Sequence, residues 1–163
     1  MCYNNFNELT WGDKMQIIEY STTDNKKHWL QKLRECEWGA GRFLCDILEN
    51  QTIYNLLGEN TRVLMLVDGE ELVSFCTLAE KDDIQPTALT PWIGFVYTYP
   101  SYRGRRASGE LLRFAESLAR SDGQSAVYIS TNHIGLYEKY GYSFFQIMKD
   151  MNGEDSRVYI KRL

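Results

Sequence analysis

The sequence predicts a layered α/β domain, with a mixed central sheet and helices on both of its faces. Three observations predict it. Apolar residues recur at helical spacing in the N-terminal third and again after residue 104. Between those stretches the pattern changes to β-rich runs joined by Asp68-Gly69-Glu70, a hairpin signal. A strand, a helix and a second strand then follow one another over residues 92–130, the order of a right-handed crossover joining parallel strands.

Each element has its own warrant. Met15 to Tyr20 is a short strand. Asp24 is placed to cap a helix over Lys26–Glu37, whose Trp29, Leu30 and Leu33 share a face. Gly39 and Gly41 break the chain, and a second helix presents Phe43, Leu44, Ile47 and Leu48 on one side. Thr52–Glu59 is a turn or a short helix. Arg62–Val67 and Glu71–Leu78 form the hairpin. Trp92–Tyr99 is almost continuously apolar and aromatic, which predicts a central strand buried on both faces. Gly94 inside it signals a bulge or a close backbone approach. Gly104–Ser121 is a helix with Leu111, Leu112, Ala115, Leu118 and Ala119 on its apolar stripe, Arg113, Glu116 and Arg120 off it, and Asp122-Gly123 as its stop. Ala126–Ser130 returns to strand. Ile134–Tyr140 is a brief helix that Asn132 would cap, and the strands Tyr142–Lys149 and Val158–Arg162 close the chain. Residues 15–163 make one domain and residues 1–14 an N-terminal extension.

At 163 residues the chain can bury a real core, and its 44% hydrophobic and 25% charged content is that of a soluble globular protein. No apolar run approaches the roughly 20 residues a membrane helix needs, and residues 1–14 lack the apolar stretch of a signal peptide. The expected setting is the cytoplasm, with no membrane partner. A net charge of −4 argues against a nucleic-acid partner. The four cysteines and two histidines show no metal-ligand spacing, so free, mostly buried thiols and no metal are expected.

Against that acidic background Tyr99-Pro100-Ser101-Tyr102-Arg103-Gly104-Arg105-Arg106-Ala107-Ser108-Gly109 stands out. A strand ends, three arginines crowd a turn, and a helix begins. The unpaired first amides of a helix and its dipole favour an anion such as phosphate at that point. No G-x-x-x-x-G-K-[ST] or G-x-G-x-x-G pattern is present, so a nucleotide-type phosphate loop is not indicated.

The run from Trp92 to Gly109, followed by Leu136-Tyr137-Glu138-Lys139-Tyr140-Gly141-Tyr142, resembles the GNAT superfamily of N-acetyltransferases. The similarity in element order covers residues 15–163, and it implies a single GNAT-like domain. In that family a turn of the form Arg/Gln-x-x-Gly-x-Gly/Ala binds the pyrophosphate of acetyl-coenzyme A. A later Leu-Tyr-Glu-x-x-Gly-Phe/Tyr segment supplies a tyrosine beside the thioester sulfur. Arg103 matches the first position of the turn, but Arg106 and Ser108 stand where glycine and glycine/alanine are usual, with Gly104 and Gly109 offset. Helical φ at those two positions would need no glycine.

The resemblance implies that acetyl-coenzyme A is the co-substrate and that an amine of a small molecule or peptide is the acceptor. It implies that Arg103, Gly104, Arg105, Arg106, Ala107, Ser108 and Gly109 hold the pyrophosphate. The backbone of Val96, Tyr97 and Thr98 would pair with the pantetheine arm as an added strand does. Tyr137 would be the general acid toward the departing thiolate, since a phenol is protonated at neutral pH. Asn132 is carried over as a cofactor contact, five residues ahead of Tyr137, with Ser130 at the family's usual spacing of seven. The family often places a glutamate on the central strand as base. Trp92–Tyr99 holds no carboxylate, which leaves Glu80, Asp82, Asp83 or a water chain. That gap also keeps open an acyl-coenzyme A binding or sensing module without efficient turnover. A monomer or a homodimer fits the sequence equally.

Overall fold

The computed structural model describes residues 15–163; the expected extension over 1–14 lies outside them, as does Cys2. One seven-stranded mixed sheet runs through the molecule in the order β1-β2-β3-β4-β5-β7-β6. The strands are β1 (Met15–Glu19), β2 (Arg62–Asp68), β3 (Glu71–Ala79), β4 (Trp92–Thr98), β5 (Ala126–Ser130), β6 (Ser143–Lys149) and β7 (Asp155–Arg162). The helices are α1 (Lys26–Arg34), α2 (Gly39–Glu49), the short α3 (Ile53–Leu57) and α4 (Ala107–Ser121). The predicted layered fold is the observed one.

Alternation along the strands divides the core in two. On one face α4 packs Leu111, Leu112, Ala115 and Ala119 against Val73, Cys76, Ile93 and Val127. On the other, Trp29 and Leu33 of α1 and Leu44, Ile47 and Leu48 of α2 cover Val63, Met65, Leu72 and Phe75. Each such aliphatic side chain contributes about 1.5–3 kcal/mol on burial. A third small cluster joins Ile84 of the β3–β4 loop to Trp92 and Val158.

β1 to β4 are antiparallel neighbours, and β5, β7 and β6 form a second antiparallel set. The two sets meet at the parallel pair β4–β5, which shares one paired position, Trp92 with Tyr128. Beyond it the strands diverge. The expected two-sided burial of β4 therefore holds only at its start: Trp92, Ile93 and Gly94 are buried, whereas Phe95 to Thr98 are half-buried because the sheet opens beside them. A bulge accompanies the opening. Three steps along β4, from Gly94 to Tyr97, match two along β3, from Thr77 to Phe75, and Phe95 takes a left-handed φ of 52°.

Local predictions fail at specific places for specific reasons. Asn25, not Asp24, precedes α1, and it makes no side-chain cap. α4 starts at Ala107 rather than at residue 104, because Gly104 (φ 77°) and Arg106 (φ 60°) are left-handed and cannot continue a helix. The predicted helix over Ile134–Tyr140 shrinks to a 3-10 turn at Tyr137–Tyr140, so Asn132 caps nothing; Leu136 stands at that turn's start. Glu116 is buried, not solvated, and Phe43 of α2 is half exposed rather than packed away.

Candidate active site

The opened edge of β4 is the centre of the site. Tyr99 N–H donates to the Val73 carbonyl of β3 (3.0 Å), and the Ser74 hydroxyl donates to the Tyr97 carbonyl (2.6 Å). Backbone groups alternate in direction along a strand, so Tyr97 and Tyr99 face β3 while Val96 and Thr98 face the gap toward β5. The Thr98 carbonyl accepts from Arg103 Nε (3.0 Å), whose guanidinium also lies 5.6 Å from the centre of the Tyr97 ring. Arg103 thus folds back over the strand end and fixes the turn that follows.

That turn delivers α4. Arg103, Gly104, Arg105 and Arg106 are exposed, Ser108 is half-buried, and Ala107 and Gly109 are buried. Arg106 stands at the helix's N-cap position with no side-chain cap bond, so the first amides of α4 have no such partner. Three exposed arginines beside uncapped amides make a strongly anion-attracting corner. The expectation that Arg106 would need only a helical φ is corrected: its φ of 60° is the left-handed value that favours glycine. An arginine there carries about 1–2 kcal/mol of backbone cost. Gly109 has a packing task instead. A Cβ on it would lie 2.5 Å from Cε1 of Tyr140.

Tyr137 is 6% exposed and belongs to the α4-side core with Cys76, Ile129 and Tyr159; Val96 packs against the same cluster. Burial, and then the nearby Cys76, Asp82 and Tyr140, push its phenol well above the usual tyrosine value, so it is protonated at neutral pH. Its ring meets Tyr142 edge-on at 6.0 Å. A buried polar cluster not legible in the sequence holds this turn. Lys161 Nζ donates to Glu116 Oε2 (2.7 Å) and to the Tyr140 carbonyl (2.7 Å), and Tyr142 Oη donates to Glu116 Oε1 (2.9 Å). Helical spacing put Glu116 off the stripe of α4; only the approach of β7 reveals its partner.

Among the three carboxylates named from sequence, the structure separates the roles. Glu80 accepts from Asn60 N–H and Nδ2 (3.1 and 2.7 Å), beside Gly58. Asp83 is exposed and turned to Ser130. Asp82 alone reaches β4: its Oδ2 lies 2.6 Å from where a Cβ of Gly94 would be. Burial first, and the neighbouring Asp83 second, raise its carboxyl to about 7. The glycine inside a dense aromatic strand was the available signal for this approach. Asn132 and His133 are exposed on the loop ahead of Tyr137.

The α1–α2 connection covers the bulge. Trp38 lies flat on Tyr97 (5.8 Å, interplanar 9°) and 6.4 Å from Phe95, and Phe43 stacks on Phe95 at 6.4 Å. Arg42 ties the connection down by donating to the Cys36 and Glu37 carbonyls. Among the described residues no cluster of metal-ligating side chains is found.

The chain is similar to an acetyltransferase from Streptococcus agalactiae (20% identity, TM-score 0.64, covering 93% of this chain and 100% of that one). It is similar to the aminoglycoside 6'-N-acetyltransferase from Enterococcus faecium (15%, TM-score 0.65, 90% and 96%). It is also similar to a GNAT family acetyltransferase from Elizabethkingia anophelis with acetyl-CoA bound (16%, TM-score 0.63, 93% and 100%). At these identities the likeness is one of fold. No curated protein sequence matches the chain. The sequence pattern of the acetyltransferase (GNAT) family matches residues 17–142, and the chain with its split sheet and arginine turn therefore belongs to that family.

Proposed function

We propose that the protein is an N-acetyltransferase that moves the acetyl group of acetyl-coenzyme A to a primary amine of a small molecule or peptide. The observation that carries this reading is the opened β4–β5 pair set beside the uncapped N-terminus of α4. The backbone of Val96 and Thr98 faces the gap as a strand edge with no partner from β5, its Thr98 carbonyl held by Arg103, and suits an extended amide-bearing arm. The exposed turn at Arg103–Arg106 and the first amides of α4 would take the pyrophosphate. Among the solved structures of the same fold, one holds acetyl-CoA and an aminoglycoside 6'-N-acetyltransferase holds coenzyme A.

The chemistry follows from the residues. A backbone N–H at the bulge would polarise the thioester carbonyl. Tyr137, held protonated by burial, would give its proton to the leaving sulfur. Cytoplasm is the proposed setting, where the free thiols of Cys36, Cys45 and Cys76 stay reduced.

The test is thiol release from acetyl-coenzyme A with polyamines, aminoglycosides, arylalkylamines, amino acids and peptide N-termini, alongside calorimetric binding of acetyl-coenzyme A. Amine-dependent release supports the reading. Tight binding with no release from any amine would replace it with an acyl-coenzyme A sensing module.

A further inference from the structure

Two features meet at the kink of β4 that the reaction as described leaves unused. The first is the Asp82 carboxylate, seated against the Gly94 backbone. The second is an aromatic face on the next residue along. Phe95 is stacked by Phe43, which is 50% exposed, and met by Trp38, which is 39% exposed. Ile93 points into the α4-side core, whereas Phe95, Tyr97 and Phe75 belong to the α1–α2 side. Gly94 alternates with Ile93, so Asp82 lies on the same side as the aromatic rings. A carboxylate against one strand residue, on the same face as exposed aromatic rings gathered on the next, is a receptor for a cation attached to an apolar body.

We infer that Asp82 takes the proton from the acceptor's ammonium group, and that Trp38, Phe43 and Phe95 seat an aromatic body carrying that amine. The acceptor class is thus an arylalkylamine. The inference rests on the acetyltransferase reading and names the acceptor half of the same site.

The proton balance is complete. The acceptor enters as an ammonium ion and gives one proton to the Asp82 carboxylate. The freed nitrogen attacks the thioester carbonyl carbon, forming a C–N bond. The C–S bond breaks and its electron pair leaves on sulfur, which Tyr137 protonates. The nitrogen sheds its second proton through water to restore Tyr137, and Asp82 returns its proton to solvent. One ammonium and one thioester yield an amide, a thiol and one proton.

The charges that bear on Asp82 are few. Among the described residues Asp83 acts on it from its own loop and β4 presents only backbone at Gly94, while Asp82 in turn helps to raise the Tyr137 phenol. Asp83 is itself approached by Asp150. With no cation among the described residues acting on it, the carboxyl at about 7 is matched to accepting a proton near neutral pH.

The experiment compares 2-phenylethylamine and tyramine with putrescine and kanamycin, for the wild-type protein, Asp82→Asn and Trp38→Ala. Acetyl-coenzyme A affinity is measured in each. The expected result has four parts. The arylalkylamines lead putrescine by more than about tenfold in kcat/KM, and Trp38→Ala removes most of that lead. Asp82→Asn lowers kcat/KM by about 100-fold with acetyl-coenzyme A affinity within about twofold. The wild-type pH profile falls on the acid side with a midpoint near 7 that Asp82→Asn lacks. The wild-type profile reads out the same group without depending on how the variant folds. Failure of the arylalkylamines to react overturns the acceptor assignment. An acid limb near the ordinary carboxylate range, or a rate within about threefold in Asp82→Asn, overturns the role of Asp82. Loss of acetyl-coenzyme A binding by the wild-type protein itself would instead sink the acetyltransferase reading on which both depend.

Discussion

Tyr137 owes its proposed role to burial: removed from water among Tyr142, Tyr159 and Cys76, its phenol holds its proton. Tyr137→Phe keeps the ring packing and deletes the proton. Turnover should fall by about 100-fold while acetyl-coenzyme A affinity changes little; equal losses in both, measured by thiol release and calorimetry, would mean that the residue only binds. Gly109 makes a second residue-scale argument. Its missing side chain admits the Tyr140 ring, so Gly109→Ala forces that ring aside. A loss of about 1–3 kcal/mol is expected from overpacking, read as a lower denaturation midpoint. Turnover should drop beyond what stability explains, since Tyr140 closes the turn that begins with Tyr137. A sequence comparison alone would place Gly109 in a phosphate loop; the packing gives the glycine a different reason to be there.

The connection between α4, β7 and the Tyr137 turn is an element-scale device. Glu116 and Lys161 come from different elements and meet over the Tyr140 carbonyl. Lys161→Met strands a buried carboxylate and should cost about 3 kcal/mol. Pairing it with Glu116→Leu should recover much of that loss, and an additive double mutant in chemical denaturation would show that the two residues do not act as a pair. Most elements were legible because each rests on local signals: the Asp68-Gly69 hairpin, the stripe of α4, and the β-rich density of β4. The helix over Ile134–Tyr140 was not, because only its end is anchored by packing, and Gly135 (φ 85°) breaks it first. The anion-attracting turn was legible from charge and context. The approach of Asp82, rather than Glu80 or Asp83, to Gly94 was not, since it depends on how the β3–β4 loop folds across the sheet. The Glu116–Lys161 pair was hidden for the same reason.

Across the whole molecule, a carboxyl raised from its ordinary range to about 7 has an energetic sign. The folded protein binds this proton more tightly than the unfolded chain does. Asp82 therefore erodes stability as pH rises from about 4 toward 7, and the cost is full above 7. Asp82→Asn should melt above the wild-type protein at pH 8, with the gap closing below pH 4; a constant gap across pH would break the link. A related trade runs through the sheet itself. Its two antiparallel halves are joined by the Trp92–Tyr128 position and by α4, which packs on β2, β3, β4 and β5. An internal edge of this kind is a vacancy in cooperativity as well as in space. Whatever lies along β4 as an extra strand would weld the halves together, so the ligand becomes a structural member of the fold. The melting temperature should then climb with the logarithm of acetyl-coenzyme A concentration, and amide exchange should slow at Val96 and Thr98, deep in the middle of the sheet, where a strand ordinarily exchanges least.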